Sequence, residues 1–167
     1  MIKKLQSGVM LIEALIGILI FSIGILSLVA LQAASVTATA DAQYRVEAVN
    51  LANQMLGQIW AAVDRTNDTS LQNSLLAFSH QTTDDDDDSC NFSGDESGNS
   101  MVTRWRNLIV TGNAAGTGTR PMLPGTTNTD QQIDVNIGAG NQVVITVCWR
   151  APSDSVTRRH VLVANVN

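Results

Sequence analysis

The sequence predicts an α+β protein in which one long N-terminal helix lies on a small antiparallel β-sheet. Three observations predict it. Val9 to Leu31 is an apolar run, the next thirty or so residues carry no strong helix terminator, and the last third alternates in short β-type runs. A length of 167 residues allows one modest soluble domain plus one extra element. Charged residues make up 15% against 44% apolar, an imbalance concentrated at the N-terminus rather than spread along the chain. Ten Lys and Arg against fifteen Asp and Glu give a net charge of −5, and the arginines form no patch larger than Arg158-Arg159. A nucleic-acid partner is therefore not expected.

The run VMLIEALIGILIFSIGILSLVAL, Val9 to Leu31, is interrupted only by Glu13, two serines and two glycines. Its uncharged part, Ala14–Leu31, falls just short of the ~20 apolar residues that cross a hydrocarbon core, and Val9–Ile12 supply the rest. Lys3 and Lys4 precede it, which predicts a cytoplasmic N-terminus and an exported remainder. A cleavable secretory signal with its site near Ala30-Leu31-Gln32-Ala33-Ala34 is one reading, and a plain single-span anchor is another. Neither accounts for Glu13, an ionisable residue inside a membrane segment, which calls for a function and a partner.

Between Gln32 and Trp60 there is no proline, and the first glycine after Gly24 is Gly57. Tyr44, Ala48, Leu51, Met55, Ile59 and Ala62 recur at spacings of 4, 3, 4, 4 and 3, one face of a 3.6-residue helix. The far side mixes Gln43, Asn50, Asn53, Gln54 and Gly57 with Val46, Val49 and Trp60. Such imperfect amphipathicity suits a helix with neighbours on more than one side. A single helix from Val9 to Val63 is roughly 80 Å long at 1.5 Å per residue.

Residues 64–130 read as a variable loop region with one short helix near 100–110. Asp64 to Asn99 is rich in Asn, Ser, Thr, Asp and Gly, and seven of the fifteen acidic residues fall between Asp84 and Glu96. The run Asp84–Asp88 lacks the alternating ligands and mid-loop glycine of a calcium loop, so a solvated loop is expected and no metal. Ser100–Val110 is open between helix and strand, with Met101, Trp105 and Leu108 favouring a helix capped by Asn99 or Ser100. Gly112–Gly118 reads as a loop, since no Lys-Ser/Thr closes it as a phosphate-binding turn.

Residues 131–167 predict a three-stranded meander. Ile133-Val135-Ile137, Val143-Ile145-Val147-Trp149 and Val161-Val163 with Val166 are separated by turns at Gly138–Gly140 and Ala151–Asp154. Three strands suffice to bury one face of the long helix. Cys90 and Cys148 are too few for a thiolate metal cage and enough for one disulfide. In the oxidising compartment that the topology implies, pairing them contributes about 4 kcal/mol by the chain-entropy relation, and two free thiols are the other reading. His80 and His160 are far apart and read as surface or strand-end side chains, and no serine sits in a nucleophile elbow, so no enzyme and no cofactor are expected.

Gly8 stands at the head of the apolar run, and Glu13 is the fifth residue counted from Val9. The string Lys3-Lys4-Leu5-Gln6-Ser7-Gly8 followed by Val9-Met10-Leu11-Ile12-Glu13-Ala14-Leu15 resembles the class III signal of type IV prepilins and pseudopilins. The resemblance implies a leader, residues 1–8, that a membrane aspartyl protease removes after Gly8, with methylation of the new Val9 amino group. The membrane half of the helix would then be 9–31 and the amphipathic half 32–63, on a pilin fold. In the family the first mature residue is most often Phe or Met, and here it is Val9. The resemblance also gives Glu13 a partner, since a carboxylate one turn along can pair with the α-amino group of an adjacent subunit, aligning the two as both leave water.

Trp105, Leu123-Pro124-Gly125 and Val144-Ile145-Thr146-Val147-Cys148-Trp149-Arg150 further resemble the PilV-type minor pilins, also called type IV pilus modification proteins. That resemblance implies priming and assembly of a type IV pilus, with other minor pilins, the major pilin, the prepilin peptidase and an inner-membrane assembly platform as partners. It implies a single-pass bacterial inner-membrane protein, with its C-terminal domain periplasmic, that enters the pilus near the tip. A minor pseudopilin of a type II secretion system is the alternative.

Overall fold

The computed structural model describes residues 7–83, 90–152 and 154–167. The chain divides into two compact units, Met1–Ala40 and Asp41–Asn167. Helix α1, Ser7–Ala62, belongs to the first unit up to Ala40 and to the second from Asp41. Its uninterrupted course agrees with the absence of terminators in the sequence.

In the first unit every side chain from Val9 to Thr39 is exposed. The two serines within the apolar stretch turn back onto the helix: Ser22 Oγ donates to the Ile18 carbonyl at 2.7 Å and Ser27 Oγ to Ile23 at 2.9 Å. Each polar tip is thus satisfied by the carbonyl four residues earlier, so it adds no unpaired group to a surface otherwise made of Leu, Ile, Val and Phe.

In the second unit, α1 presents Ala48, Leu51, Ala52, Met55 and Ile59 to the core, each at most 1% exposed. Tyr44 packs at the edge of this cluster. The predicted face is displaced at its end: Ala62 is exposed and Val63 is buried in its place. The displacement is one residue, where the helix ends and Val63 N–H still donates to Ile59 O. Val46, Val49 and Trp60 stay exposed on the far side.

Asp68–Leu76 is helix α2, where the sequence predicts loop. The Asn67 side chain caps it by accepting from Ser70 N–H, and Leu71 and Leu75, one turn apart, are its buried contacts. Three leucines on nine, with Leu76 exposed, make a weak periodic signal, and tertiary burial supplies what propensity does not. Helix α3, Ser100–Thr111, resolves the ambiguity at 100–110. Asn99 is its cap, and Gly112 ends it at φ 73°, where an added Cβ would lie 2.0 Å from the Arg120 carbonyl oxygen. The buried face is Val102, Trp105 and Ile109, one residue round from the predicted Met101 and Leu108 positions.

The sheet is a meander, β1 (Gln131–Asn136), β2 (Gln142–Trp149) and β3 (Arg158–Asn165), both pairings antiparallel. A 3-10 turn at Ile137–Ala139 connects the first two, so Ile137 belongs to the turn and not to a strand. Ile133, Val135, Val143, Ile145, Val147 and Trp149 face the helices. In β3 the predicted apolar pair is turned the other way. Val161 and Val163 are 42% and 53% exposed, and Leu162 packs against the core between them. Pairing with β2 sets this register, which places Leu162 opposite Ile145. The result is an α+β arrangement consistent with the pilin fold.

Ile145 lies at the centre of the sheet, fully buried, between Ile133 and Leu162. Ile145→Ala is expected to cost about 2–5 kcal/mol. Chemical denaturation of the detergent-solubilised chain, followed by the fluorescence of buried Trp105 and Trp149, measures it.

Candidate functional site

The sequence places its candidate residues in two regions, and each is described within its own unit. Gly8 lies in the first turns of α1, and Lys3 and Lys4 fall outside the described residues. Val9 is 68% exposed, and Glu13, four residues on, is exposed on the same helix face. Among the described residues the Glu13 carboxylate makes no hydrogen bond or ion pair. The helix from Val9 onward is long and apolar enough to cross a membrane, and none of its most apolar eighteen-residue window is buried. A carboxylate in such a surface is costly in hydrocarbon unless another chain brings it a cation.

In the second unit Cys90 and Cys148 form a disulfide, with Cα atoms 6.0 Å apart and a sequence separation of 58 residues. Cys148 sits on the sheet face opposite the helices, where the bridge and Phe92 make a second small apolar cluster. The bridge thereby fastens the segment that follows the acidic run onto the middle strand. The run Asp84–Asp88 itself lies outside the described residues. Among the described residues no group of three or more His, Cys, Asp or Glu is placed to hold a metal ion.

The remaining motif residues converge on the core. Trp105 Nε1–H donates to the Leu51 carbonyl at 2.9 Å, tying α3 to α1. Leu123 is fully buried, and the next carbonyl, that of Pro124, accepts from Arg150 N–H at 3.0 Å, just past the end of β2. Gly125 turns at φ 67° with the Arg150 carbonyl where a Cβ would be, a contact of 2.8 Å. Three motifs separated in sequence therefore meet along one seam of helix, loop and strand.

His80 corrects its expected surface position. It is 1% exposed, and its backbone exchanges hydrogen bonds with Ile133, 2.9 and 3.0 Å, which covers the outer edge of β1. Its Nδ1 accepts from Ser97 N–H at 3.2 Å, which places any proton of the neutral ring on Nε2. Burial, reinforced by the Arg106 guanidinium and opposed by Glu96, holds its pKa below the usual histidine range. Arg106 and Glu96 pair with each other at 2.9 Å. His160 is half-buried in β3. No periodic pattern marks His80, because its burial comes from a single bridge in an irregular segment.

Two open grooves flank α3. One, of about 330 Å³, is lined by Gln54, Gln58, Met101, Arg104 and Trp105, and the other, of about 570 Å³, by Tyr44, Arg120, Pro121 and Met122. Neither brings a nucleophile and a base together. No family model, curated protein or solved structure matches the chain.

Two outcomes follow for the second unit. Cys148→Ser is expected to lower its stability by about 4 kcal/mol, the value for a loop of this length, read by denaturation of the variant beside the oxidised parent. Because the folded-state pKa of His80 lies below its unfolded value, the contribution of its neutral form is present above about pH 6.5 and lost as pH falls toward the folded pKa. A series of denaturation curves between neutral and mildly acidic pH is expected to show that loss, with a shallower slope in His80→Gln.

Proposed function

We propose that the chain is a subunit of a type IV pilin-like fibre, processed at its N-terminus and held in a membrane by the first part of α1 before assembly. Within that class the reading is a PilV-type minor pilin, which takes part in priming a type IV pilus from the inner membrane. The observation that carries it is the placement of Gly8, Val9 and Glu13 at the head of one uninterrupted helix. That helix is apolar and exposed at first and buried on one face by a sheet further on.

The chemistry follows from that placement. Cleavage after Gly8 leaves an α-amino group on Val9, at the positive end of the helix dipole, with Glu13 one turn away on the same face. Between neighbouring chains shifted along the fibre axis, the amino group of one meets the carboxylate of the next. Attraction between unit charges rises about fourfold as the effective dielectric falls from 80 to about 20, so the pair strengthens as water leaves. A chain out of register would bury an uncompensated carboxylate, and that penalty enforces register. The apolar surface around them leaves lipid for neighbouring helices without a change of solvent polarity.

Mass spectrometry of the N-terminus, in cells with and without the prepilin peptidase, tests the processing. The expected product starts at Val9 with one added methyl, is absent without the peptidase, and is absent from Gly8→Ala. A start at Met1 or near Ala34 in cells with the peptidase would overturn the reading. Glu13→Ala is expected to be processed as the parent is, yet to lower the number of surface fibres by about tenfold or more, since the α-amino group loses its partner.

A further inference from the structure

The two edges of the sheet are not equivalent. On the β1 side, Ile133 exchanges both backbone hydrogen bonds with His80, so that edge is partly closed from within the chain. β3 is the opposite edge, and the register shows which of its groups point away from the sheet. Cys148 N–H donates to Asp130 O, so Cys148, Thr146, Val144 and Gln142 direct their backbone groups toward β1. The alternate residues Trp149, Val147, Ile145 and Val143 bond to Arg158, His160, Leu162 and Ala164 of β3. The backbone N–H and C=O of Val161 and Val163 therefore point outward.

The same two residues are the exposed valines, on the sheet face opposite the helices, beside Val144 and Thr146 of β2. Devices that commonly blunt an edge are missing between His160 and Ala164: no proline, no lysine, and an unbroken eight-residue ladder with no bulge. A row of outward donors and acceptors about 6–7 Å apart, between β-branched side chains, matches one kind of partner, another extended strand.

We infer that β3 is a docking edge for an extended strand donated by a different subunit of the same assembly, with apolar β-branched side chains at alternate positions to lie beside Val161 and Val163. This rests on the proposed fibre function. A second copy of the chain fits less well. Two β3 edges related by a twofold axis pair antiparallel about an axis perpendicular to the sheet. That rotation reverses the direction of the Asp41–Ala62 part of α1, which packs on the sheet. In a polar fibre, which the proposed function requires, no two subunits are related by such a reversal. A strand donated from an irregular segment of another subunit carries no such constraint.

Because the Val163 N–H points outward, Val163→Pro deletes an edge donor without breaking a bond to β2. It is expected to fold, with the disulfide formed and the melting temperature within about 5 °C of the parent. It should nevertheless lower surface fibres by about tenfold or more, whereas Val163→Thr leaves them unchanged. The double variant Val161→Lys/Val163→Lys keeps every backbone group, adds charge only at exposed positions, and is expected to show the same loss; it decides the matter if the proline variant does not fold. Normal fibre numbers in a folded variant would overturn the edge.

Hydrogen exchange on the full chain separates this from the fibre reading. The Val161 and Val163 amides are expected to be protected in native membranes and to exchange rapidly in the purified monomer, with Leu162 and Ala164 slow in both. Equal exchange in the two samples overturns strand docking even where deletion of the chain abolishes fibres. Protection of both amides in a strain whose fibres survive that deletion keeps the docking edge and removes the pilus role. A purified full-length dimer that Val163→Pro abolishes would overturn the assignment to a different subunit.

Discussion

The face of α1 that carries Ala48, Leu51, Ala52, Met55 and Ile59 is the surface on which the second unit closes. A helix with so many small and flexible apolar residues on one side buries its area only if a second layer lies against it, and a three-stranded sheet has one face to give. Trp105 joins the layers through a hydrogen bond to the Leu51 carbonyl as well as by packing. That carbonyl lies inside the helix, so the indole proton finds an acceptor without breaking a turn. Leu123 and Trp149 then fill the seam, and the loop between α3 and β1 is held by the Pro124–Arg150 contact. Remove the helix face and none of these elements has a layer to rest on.

The first part of the same helix has no such partner in the chain. Some thirty consecutive residues stand exposed, nearly all apolar up to Leu31, a larger apolar surface than soluble monomers commonly present to water. The serines are satisfied internally, which leaves Glu13 as the one group in that apolar surface whose polarity is unspent among the described residues. A lone carboxylate there would weaken insertion into a membrane, and it adds nothing to the fold of the second unit. Under the proposed function that placement has a purpose, because a cation from a neighbouring chain would reach it.

How much of this was legible depended on the kind of signal each element leaves. The long helix was legible because one period runs through Tyr44, Ala48, Leu51, Met55 and Ile59 for four turns with nothing to break it. The meander was legible because β2 is a run of β-branched and other apolar residues of strand length, and glycines or a proline mark both of its ends. The pairing of Cys90 with Cys148 followed from count and compartment, not from pattern. By contrast α2 has only the Leu71–Leu75 pair on its buried face to announce it, and its existence depends on burial against residues far away in sequence. The side that β3 shows to solvent was not legible, since Val161-Leu162-Val163 is apolar at every position and alternation cannot choose a face. His80 was misplaced for a related reason: a bridge of two hydrogen bonds across 53 residues leaves no trace in local composition.

The ambiguity of β3 has a physical reading of its own. A strand that needs only one apolar face would carry polar residues on the other, as β1 does at Gln132, Asp134 and Asn136. β3 instead keeps valines on its solvent side through the middle of its length and confines its charges to Arg158 and Arg159 at the start. There Arg158 is already engaged, pairing with Asp154 at 2.6 Å and Asp41 at 2.8 Å, which pins the entry of the strand to α1. One end of the strand is thus anchored by charge, and its middle presents β-branched side chains and a ladder of outward amides. In a sheet that ended at β3, exposed valines would bring an aggregation hazard and no gain in stability. In a sheet that continues into another chain they are interior residues, and the pattern of β3 is that of a central strand.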